Sequence, residues 1–215
     1  MSQIGYSSQS GKAVLRAAVF CILTTYYQVR HMALKATIYK AELQIADMDR
    51  HYYQDHALTI ARHPSETDER MMMRVLAFVL NASESLTFGK GLSADDEPDL
   101  WQKDLTGAIE LWIEVGQPDE KRILKACGRA EKVIIYSYSS NSSIWWNQVS
   151  SRIERAKNLT VLNLPTQVSM ALAKLAQRNM QLQCTVQDGQ TWITANGETV
   201  QIDLSTVKAR SGAPH

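Results

Sequence analysis

Two glutamates with a tryptophan between them lie in the most strand-like segment of this sequence. In residues 109–116, apolar residues alternate with Glu110, Trp112 and Glu114, which predicts a β-strand with these three side chains on one face. The Cα atoms of the two glutamates would lie ~13 Å apart at ~3.3 Å per residue. Because that separation is too large for one shared ion, a metal ion at Glu114 needs a carboxylate from another element.

The nearest supply of carboxylates is the acidic loop at residues 95–99, which contains Asp96 and Asp99. A metal ion bound at Glu114 would take its second carboxylate from this loop. Spacing alone favours the alternative, in which the same charges are solvated at a sheet edge or on an outer face.

The composition is that of a globular protein with balanced charge. The chain has 215 residues, of which 23 are basic and 22 acidic, giving a net charge of +1. Its length suits one well-buried core. The balance gives no argument from bulk charge for a nucleic-acid or membrane partner, and no apolar run reaches the ~20 residues of a spanning helix. Three scattered cysteines without a CxxC pair favour a reducing, cytoplasmic compartment.

The first 31 residues differ from the rest of the chain. A stretch rich in Gly, Ser and Gln and a short apolar run precede Met32, where strand-like alternation begins. We therefore predict a dispensable extension over residues 1–31, a single domain over residues 32–207 and a frayed tail over residues 208–215.

Hydrophobic patterning predicts an α/β protein of the α+β type. A hairpin is predicted over residues 34–45 and 53–62. Ser65 and Pro118 are predicted to begin two helices, as cap and as first residue respectively. The predicted helices are 66–80, 118–130, 144–156 and 166–180, and the other predicted strands are 85–88, 99–101, 108–115, 131–138, 159–164, 182–186, 191–194 and 199–204.

Several blocks of the sequence, in order, resemble the YaeQ family. They are MALKATIYKAEL from Met32, ARHPSETDERMMMRVLAF, LSADDEPDLW, IELWIEVGQPDEKRILKAC and QDGQTWI, and the resemblance covers essentially the whole chain after residue 31. It implies a bacterial, cytoplasmic protein whose fold is similar to that of the PD-(D/E)XK nucleases. Such a restriction-endonuclease-like fold has a mixed central sheet with an α-β-β-β-α-β core, to which the N-terminal hairpin and the C-terminal strands would be additions.

The resemblance also implies positions for a nuclease-type site. Asp99, after Pro98, resembles the leading aspartate of the nuclease motif, with Asp96 as a competitor. Glu114 resembles the motif glutamate. The motif lysine is missing, because Gly116 stands in its place.

Related nucleases can supply the missing positive charge from the helix that follows. Lys121 and Lys125 are one turn apart on one face of that predicted helix, so either could reach back to the site, and Gln117 is a further substitute. Glu66 lies where related nucleases often place an accessory carboxylate, and Arg62 would add a phosphate contact.

The implied chemistry is phosphodiester hydrolysis with Mg²⁺ or Mn²⁺, and the implied partner is nucleic acid. The competing hypothesis is a catalytically inactive binding or regulatory protein on the same scaffold, because a fold does not determine a function. One feature separates the two: catalysis requires a cation within about 6 Å of Glu114 and of a second carboxylate. The sequence predicts no oligomeric state.

Overall fold

The described structure begins with a long antiparallel hairpin. The computed structural model describes residues 36–90 and 96–211, so the extension predicted for residues 1–31 lies outside it. Strand β1 (Thr37–Asp47) pairs with β2 (Tyr52–Arg62) along its whole length. Alternate residues of β1 are buried, as expected for a strand with one face on a core. The predicted hairpin is confirmed.

Four helices and nine further strands complete the described part of the chain, which confirms a mixed α+β fold. In chain order they are α1 (Asp68–Asn81), β3 (Leu86–Phe88), β4 (Leu100–Lys103), β5 (Ile109–Val115), α2 (Glu120–Arg129), β6 (Ala130–Ser137), α3 (Ser142–Ile153), β7 (Leu159–Asn163), α4 (Thr166–Lys174), β8 (Asn179–Gln187), β9 (Gln190–Ala195), β10 (Glu198–Ile202) and β11 (Ser205–Lys208).

The first sheet joins strands from the two ends of the described chain. Its order is β10-β9-β8-β1-β2; β1 and β8 are parallel, and the other neighbours are antiparallel. Leu43 of β1 lies opposite Leu182 of β8, and both side chains are buried, so the apolar pattern specifies this register. The N-terminal hairpin and the C-terminal strands, predicted as additions to one central sheet, therefore form a separate sheet of their own.

The other sheet has the order β11-β7-β6-β5-β4-β3. Its strands β5, β6 and β7 are parallel, whereas β3, β4 and β11 pair with antiparallel neighbours. Helices α2 and α3 form the crossovers that parallel strands need. Because β4 runs against β5, the start of β4 and the carboxyl end of β5 meet at the same edge of this sheet.

Helix α1 is buried on all sides in its middle. Residues 71–79 are all buried, and nine consecutive residues at about 3.6 per turn point in every direction around a helix. The same apolar cluster contains Leu43 of the first sheet and Ile113 of the second. Helix α1 therefore shares one core with both sheets.

A separate apolar cluster covers the opposite face of β5. Trp112 packs there with Ile123 of α2, Val133 of β6 and Val149 of α3. Since both faces of β5 are covered, Glu114 is only 3% exposed. The alternative of a solvated outer-face charge is therefore wrong for Glu114, and a carboxylate buried in this way requires polar partners inside the protein.

The two helices next to the predicted site start later than predicted. The N-cap of α1 is Thr67, whose side chain accepts a backbone N–H of the first turn at 3.1 Å. Ser65 is not the cap; its hydroxyl contacts Nδ1 of His63 at 2.6 Å. The N-cap of α2 is Asp119, so Pro118 precedes this helix instead of beginning it.

The last predicted helix, 166–180, is too long. Helix α4 ends at Lys174, and Met180 lies in β8, where it is buried opposite Ala41. The apolar residues of this segment fit either a helix face or an alternating strand, and pairing with β1 decides for the strand.

Regular structure also continues beyond the predicted domain end at residue 207. Strand β11 extends to Lys208 and pairs with β7, and the Ser211 N–H donates to the carbonyl of Lys157 at 3.0 Å. Across residues 36–90 and 96–211, no helix has the length and apolar character needed to cross a membrane.

Candidate active site

Asp99 and Glu114, called the acidic pair below, lie side by side at one edge of the second sheet. Leu100 pairs with Ile113, and this antiparallel register places the residue before β4 opposite Glu114. The Asp99 N–H donates to the carbonyl of Ile113 at 3.0 Å, and the Val115 N–H donates to Oδ2 of Asp99 at 2.8 Å. The structure thus brings together two of the carboxylates selected from the sequence.

An arginine binds the Asp99 carboxylate. Nη2 of Arg70 donates to both Asp99 oxygens, at 2.7 and 2.9 Å, and Nη1 of Arg70 donates to Glu66 at 2.9 Å. Arg74 donates in turn to both Glu66 oxygens, at 2.8 Å each. These four side chains form an arginine–carboxylate chain in the order Arg74–Glu66–Arg70–Asp99. Charges of opposite sign alternate along it, as buried ions require.

Glu66, predicted as an accessory metal carboxylate, forms ion pairs with Arg70 and Arg74. Burial alone would lower the pKa of Arg70, yet the carboxylates of Asp99 and Glu66 outweigh burial and raise it. Glu66 thus helps to keep a charged guanidinium next to the acidic pair.

The Glu114 carboxylate has its own donors. Its Oε1 accepts from Nε1 of Trp112 at 2.7 Å and from Nε of Arg122 at 2.9 Å. Burial raises the pKa of Glu114 and the nearby Asp99 raises it further, against the opposing effects of Trp112 and Arg122. The charge of Asp99 therefore disfavours ionisation of Glu114, and a bound proton or cation would relieve that repulsion.

Gly116 gives a physical reason for the missing lysine. Its φ is 109°, a backbone conformation that a lysine would adopt only with strain. The chain passes through Gly116 on its way to α2, and α2 carries Arg122. The positive charge beside Glu114 thus comes from the following helix, as an arginine and not as either predicted lysine.

An open cleft of about 490 Å³ borders Glu114. Polar groups that line it are Thr67, Glu69, Arg70, Glu114, Gln117, Arg122, Tyr138 and Ser139. The predicted Gln117 lies in this wall, where its Nε2 donates to the carbonyl of Tyr138 and to Oγ of Ser139 at 3.1 Å each. Burial raises the pKa of Tyr138 to about 12, so its hydroxyl stays protonated and is able to donate.

The other predicted residues lie outside this cleft. Asp96 is exposed and forms an ion pair with Lys125, and the hydrogen bond from Lys125 lowers the pKa of Asp96. Lys121 lines a different pocket, between α2 and α3. Arg62 forms an ion pair with Asp68 at the start of α1, so its cation is bound to a carboxylate there.

The predictions did not include Arg70 and Arg122, the two cations that bind the acidic pair. Glu66, Arg70 and Arg74 are spaced four residues apart, which places their side chains on one side of a helix. This spacing is the sequence pattern from which the contact between Glu66 and Arg70 could have been predicted. No comparable signal separates Arg122 from Lys121, because the choice depends on where α2 starts and how it packs against β5.

The donor set limits which metal ion would fit. Within residues 36–90 and 96–211, no three His, Cys, Asp or Glu side chains are grouped so as to hold a metal ion. The acidic pair offers hard carboxylate oxygens, which suits Mg²⁺, an ion that keeps several waters and uses one or two carboxylates. Asp99 is 1% exposed and does not line the cleft, whereas Arg70 does. A cation that contacts both carboxylates therefore has to displace Arg70.

These features define a class of protein: a mixed α+β fold that carries an arginine-bound acidic pair beside an open cleft. Comparison with known proteins then gives the family. The family model described as YaeQ protein matches residues 32–204, and the chain belongs to the YaeQ family. The resemblance in the sequence blocks is confirmed at this level.

Relatives and solved structures agree with this assignment. The chain is 48% identical over 175 residues to the "Uncharacterized protein YaeQ" of Salmonella typhi and 46% identical over 175 residues to that of Escherichia coli K12, in each case across 81% of this chain and 97% of the relative. The crystal structure of a YaeQ protein from Xanthomonas axonopodis pv. citri is similar with a TM-score of 0.78 at 47% identity, over 81% of this chain and 99% of that one. That of a YaeQ protein from Pseudomonas syringae has a TM-score of 0.79 at 37% identity, over 82% and 98%.

Proposed function

We propose that this protein hydrolyses phosphodiester bonds of nucleic acid with Mg²⁺ or Mn²⁺ as cofactor. One observation carries the proposal: Glu114 borders an open cleft and lies beside both a second carboxylate, Asp99, and a cation, Arg122, at 2.9 Å. Two carboxylates and a positive charge at one place are what metal-assisted phosphodiester hydrolysis needs.

The order of the elements supports a nuclease-like scaffold. The elements α1, β3, β4, β5, α2 and β6 follow one another along the chain, in the α-β-β-β-α-β order of the PD-(D/E)XK nucleases. Asp99 directly precedes the second strand of this series, and Glu114 lies near the end of the third. Arg122 supplies the charge that the strand itself lacks at Gly116.

The acidic pair and the neighbouring side chains each have a part in this proposal. Asp99 and Glu114 would hold the cation once Arg70 is displaced from Asp99, and a bound cation of this kind would polarise a phosphodiester oxygen and lower the pKa of a water. Arg122 and Arg70 present guanidinium groups that are suited to phosphate oxygens. Tyr138, protonated because its pKa is about 12, adds a neutral donor to the same wall.

A second candidate function is supported by the arginine–carboxylate chain. Arg70 occupies both oxygens of Asp99, and with Arg122 it puts two guanidinium groups into the cleft lining. Such a cleft binds phosphate groups without any metal ion. In this case the protein would bind a nucleic acid or a phosphorylated partner without turnover.

Calorimetric titration with MnCl₂ tests the metal site directly. Wild type is expected to bind Mn²⁺, and Glu114→Gln is expected to lose that binding. The matched control is Glu110→Gln, which removes a carboxylate from the same strand; Glu110 accepts from Gln102 at 2.7 Å and does not line the cleft. This control should bind Mn²⁺ as wild type does.

A cleavage panel tests the activity. Wild type is incubated with single- and double-stranded DNA and RNA in Mg²⁺, in Mn²⁺ or in EDTA, and cleavage that depends on the metal is expected. Arg122→Met should lower the rate by about a hundredfold, the usual effect of removing one preorganised donor. Absence of both Mn²⁺ binding and cleavage would overturn the hydrolase. If wild type then binds nucleic acid in the presence of EDTA and Arg122→Met does not, the second candidate function is supported.

A further inference from the structure

The first sheet has an outer face that no element of the described ranges covers. The residues on this face are exposed or half-exposed on all five strands, while alternate residues such as Leu43 and Ile193 are buried in the core. A solvated polar face is common in such sheets, so exposure alone identifies no site. The order of the side chains across the strands is more specific.

Two aromatic rings share one row across this face. The pairing register places Tyr53 opposite Ala46, Ala46 opposite Thr185, and Thr185 opposite Trp192. Tyr53 is 59% exposed, and Trp192 is half-buried. Three strand spacings separate the two aromatic residues, roughly 14 Å. Between the two rings, this row holds only the small side chains of Ala46 and Thr185.

The neighbouring rows supply hydrogen-bonding groups. Gln44 lies opposite Gln183, and Gln183 lies opposite Thr194. One row further, Nε2 of Gln181 donates to Oε2 of Glu42 at 3.5 Å. These five side chains help to line a cavity of about 370 Å³. Amide and carboxylate groups each present two polar atoms side by side, which suits pairs of adjacent hydroxyl groups.

We propose that this outer face binds a neutral oligosaccharide. Sugar rings have C–H faces that pack on aromatic rings and hydroxyl edges that pair with amides and carboxylates. The face offers both in parallel rows, so a chain of a few sugar units contacts Tyr53 and Trp192 while its hydroxyl groups meet the cavity. This binding site is separate from the cleft and does not depend on the hydrolysis proposed there.

The charge of the face favours a sugar over single-stranded nucleic acid, which also stacks on exposed aromatic rings. The strand residues of this face include one basic side chain, Lys40, and two acidic side chains, Glu42 and Asp55. A surface that tracks a phosphate backbone needs an excess of positive charge, and this face has an excess of negative charge.

Isothermal titration of the full-length protein with cellohexaose, maltohexaose and chitohexaose tests the proposal. At least one of them is expected to bind. Tyr53→Ala and Trp192→Ala should each weaken that binding about tenfold, equivalent to roughly 1.4 kcal/mol, whereas Tyr53→Phe should keep it because the ring remains. The control is Trp101→Ala, which removes a half-buried tryptophan from β4 of the other sheet and should leave binding unchanged.

Three results would overturn the proposal. The first is that none of the three oligosaccharides binds. The second is that Tyr53→Ala and Trp192→Ala bind the sugar as tightly as wild type. The third is that a single-stranded oligodeoxythymidylate binds more tightly than any of the oligosaccharides, and that Tyr53→Ala and Trp192→Ala weaken this binding.

Discussion

At the scale of single residues, the surroundings of Glu114 act on its pKa in opposite directions. Burial and Asp99 raise its pKa, while Trp112 and Arg122 act to lower it, and the net effect is an increase. The folded protein therefore keeps this proton to a higher pH than the unfolded chain does. The free energy of unfolding consequently falls as the pH rises from the ordinary pKa range of a carboxyl group through the raised pKa of Glu114.

We expect Glu114→Gln to gain stability relative to wild type as the pH is raised from about 4 to about 7, because the amide cannot ionise. Urea unfolding at several pH values measures the difference in the free energy of unfolding between the two proteins. Glu110→Gln is the control for loss of one carboxylate from β5. A relative gain by wild type over the same pH interval would contradict the prediction.

Arg70 is the residue that couples the two buried carboxylates of the arginine–carboxylate chain. Arg70→Met leaves Asp99 and Glu66 without their shared cation, and removing one partner of a buried ion pair costs about 3–5 kcal/mol. We expect a loss near the lower end, about 3 kcal/mol, because the Arg70 side chain is 17% exposed. Adding Asp99→Asn should cost less than the sum of the two single changes.

An exposed ion pair provides the matched comparison for Arg70. Arg152 donates to Glu120 at 2.9 Å, and its side chain is 66% exposed. Arg152→Met should lower the free energy of unfolding by less than about 1 kcal/mol, as is usual for surface pairs. Equal losses for the two arginine variants in urea unfolding would show that the arginine–carboxylate chain does not stabilise the fold.

At the scale of elements, the start of α1 determines which residues reach the acidic pair. Its first-turn cap is Thr67, and Arg70 lies three residues further along. Thr67→Ala should lower the free energy of unfolding by about 1 kcal/mol, the typical value of an N-cap. Ser65→Ala is the control, since Ser65 is exposed and is not the cap; its effect should stay within about 0.5 kcal/mol. A larger loss in the free energy of unfolding for Ser65→Ala than for Thr67→Ala, measured by denaturant unfolding, would show that the helix starts at Ser65.

At the scale of the whole molecule, α1 joins the two sheets through one apolar core. Met72 is 0% exposed within that core, so Met72→Ala should lower the free energy of unfolding by about 2–5 kcal/mol. Met170 on α4 is 56% exposed, and Met170→Ala should change it by no more than about 0.5 kcal/mol. Because the core is shared, circular dichroism and tryptophan fluorescence should report one coincident transition. Two separate transitions would show that the sheets unfold independently.

The sequence by itself determined the elements that depend on local patterns. Alternation along β1 and β5 predicted those strands, and hydrophobic patterning predicted the helix that contains Met72. The resemblance to nuclease motifs selected Asp99 and Glu114, and the structure brings these two carboxylates together.

The tertiary structure decided which positive charges reach the acidic pair. Arg70 and Asp99 are 29 residues apart in the chain, and their contact exists only because α1 packs against the sheet edge where β4 begins and β5 ends. The choice of Arg122 over Lys121 depends in the same way on the packing of α2. The first sheet also depends on pairing between β1 and β8, across most of the described chain. Local periodicity carries no information about such contacts, because they are set by how elements pack and not by the spacing within them.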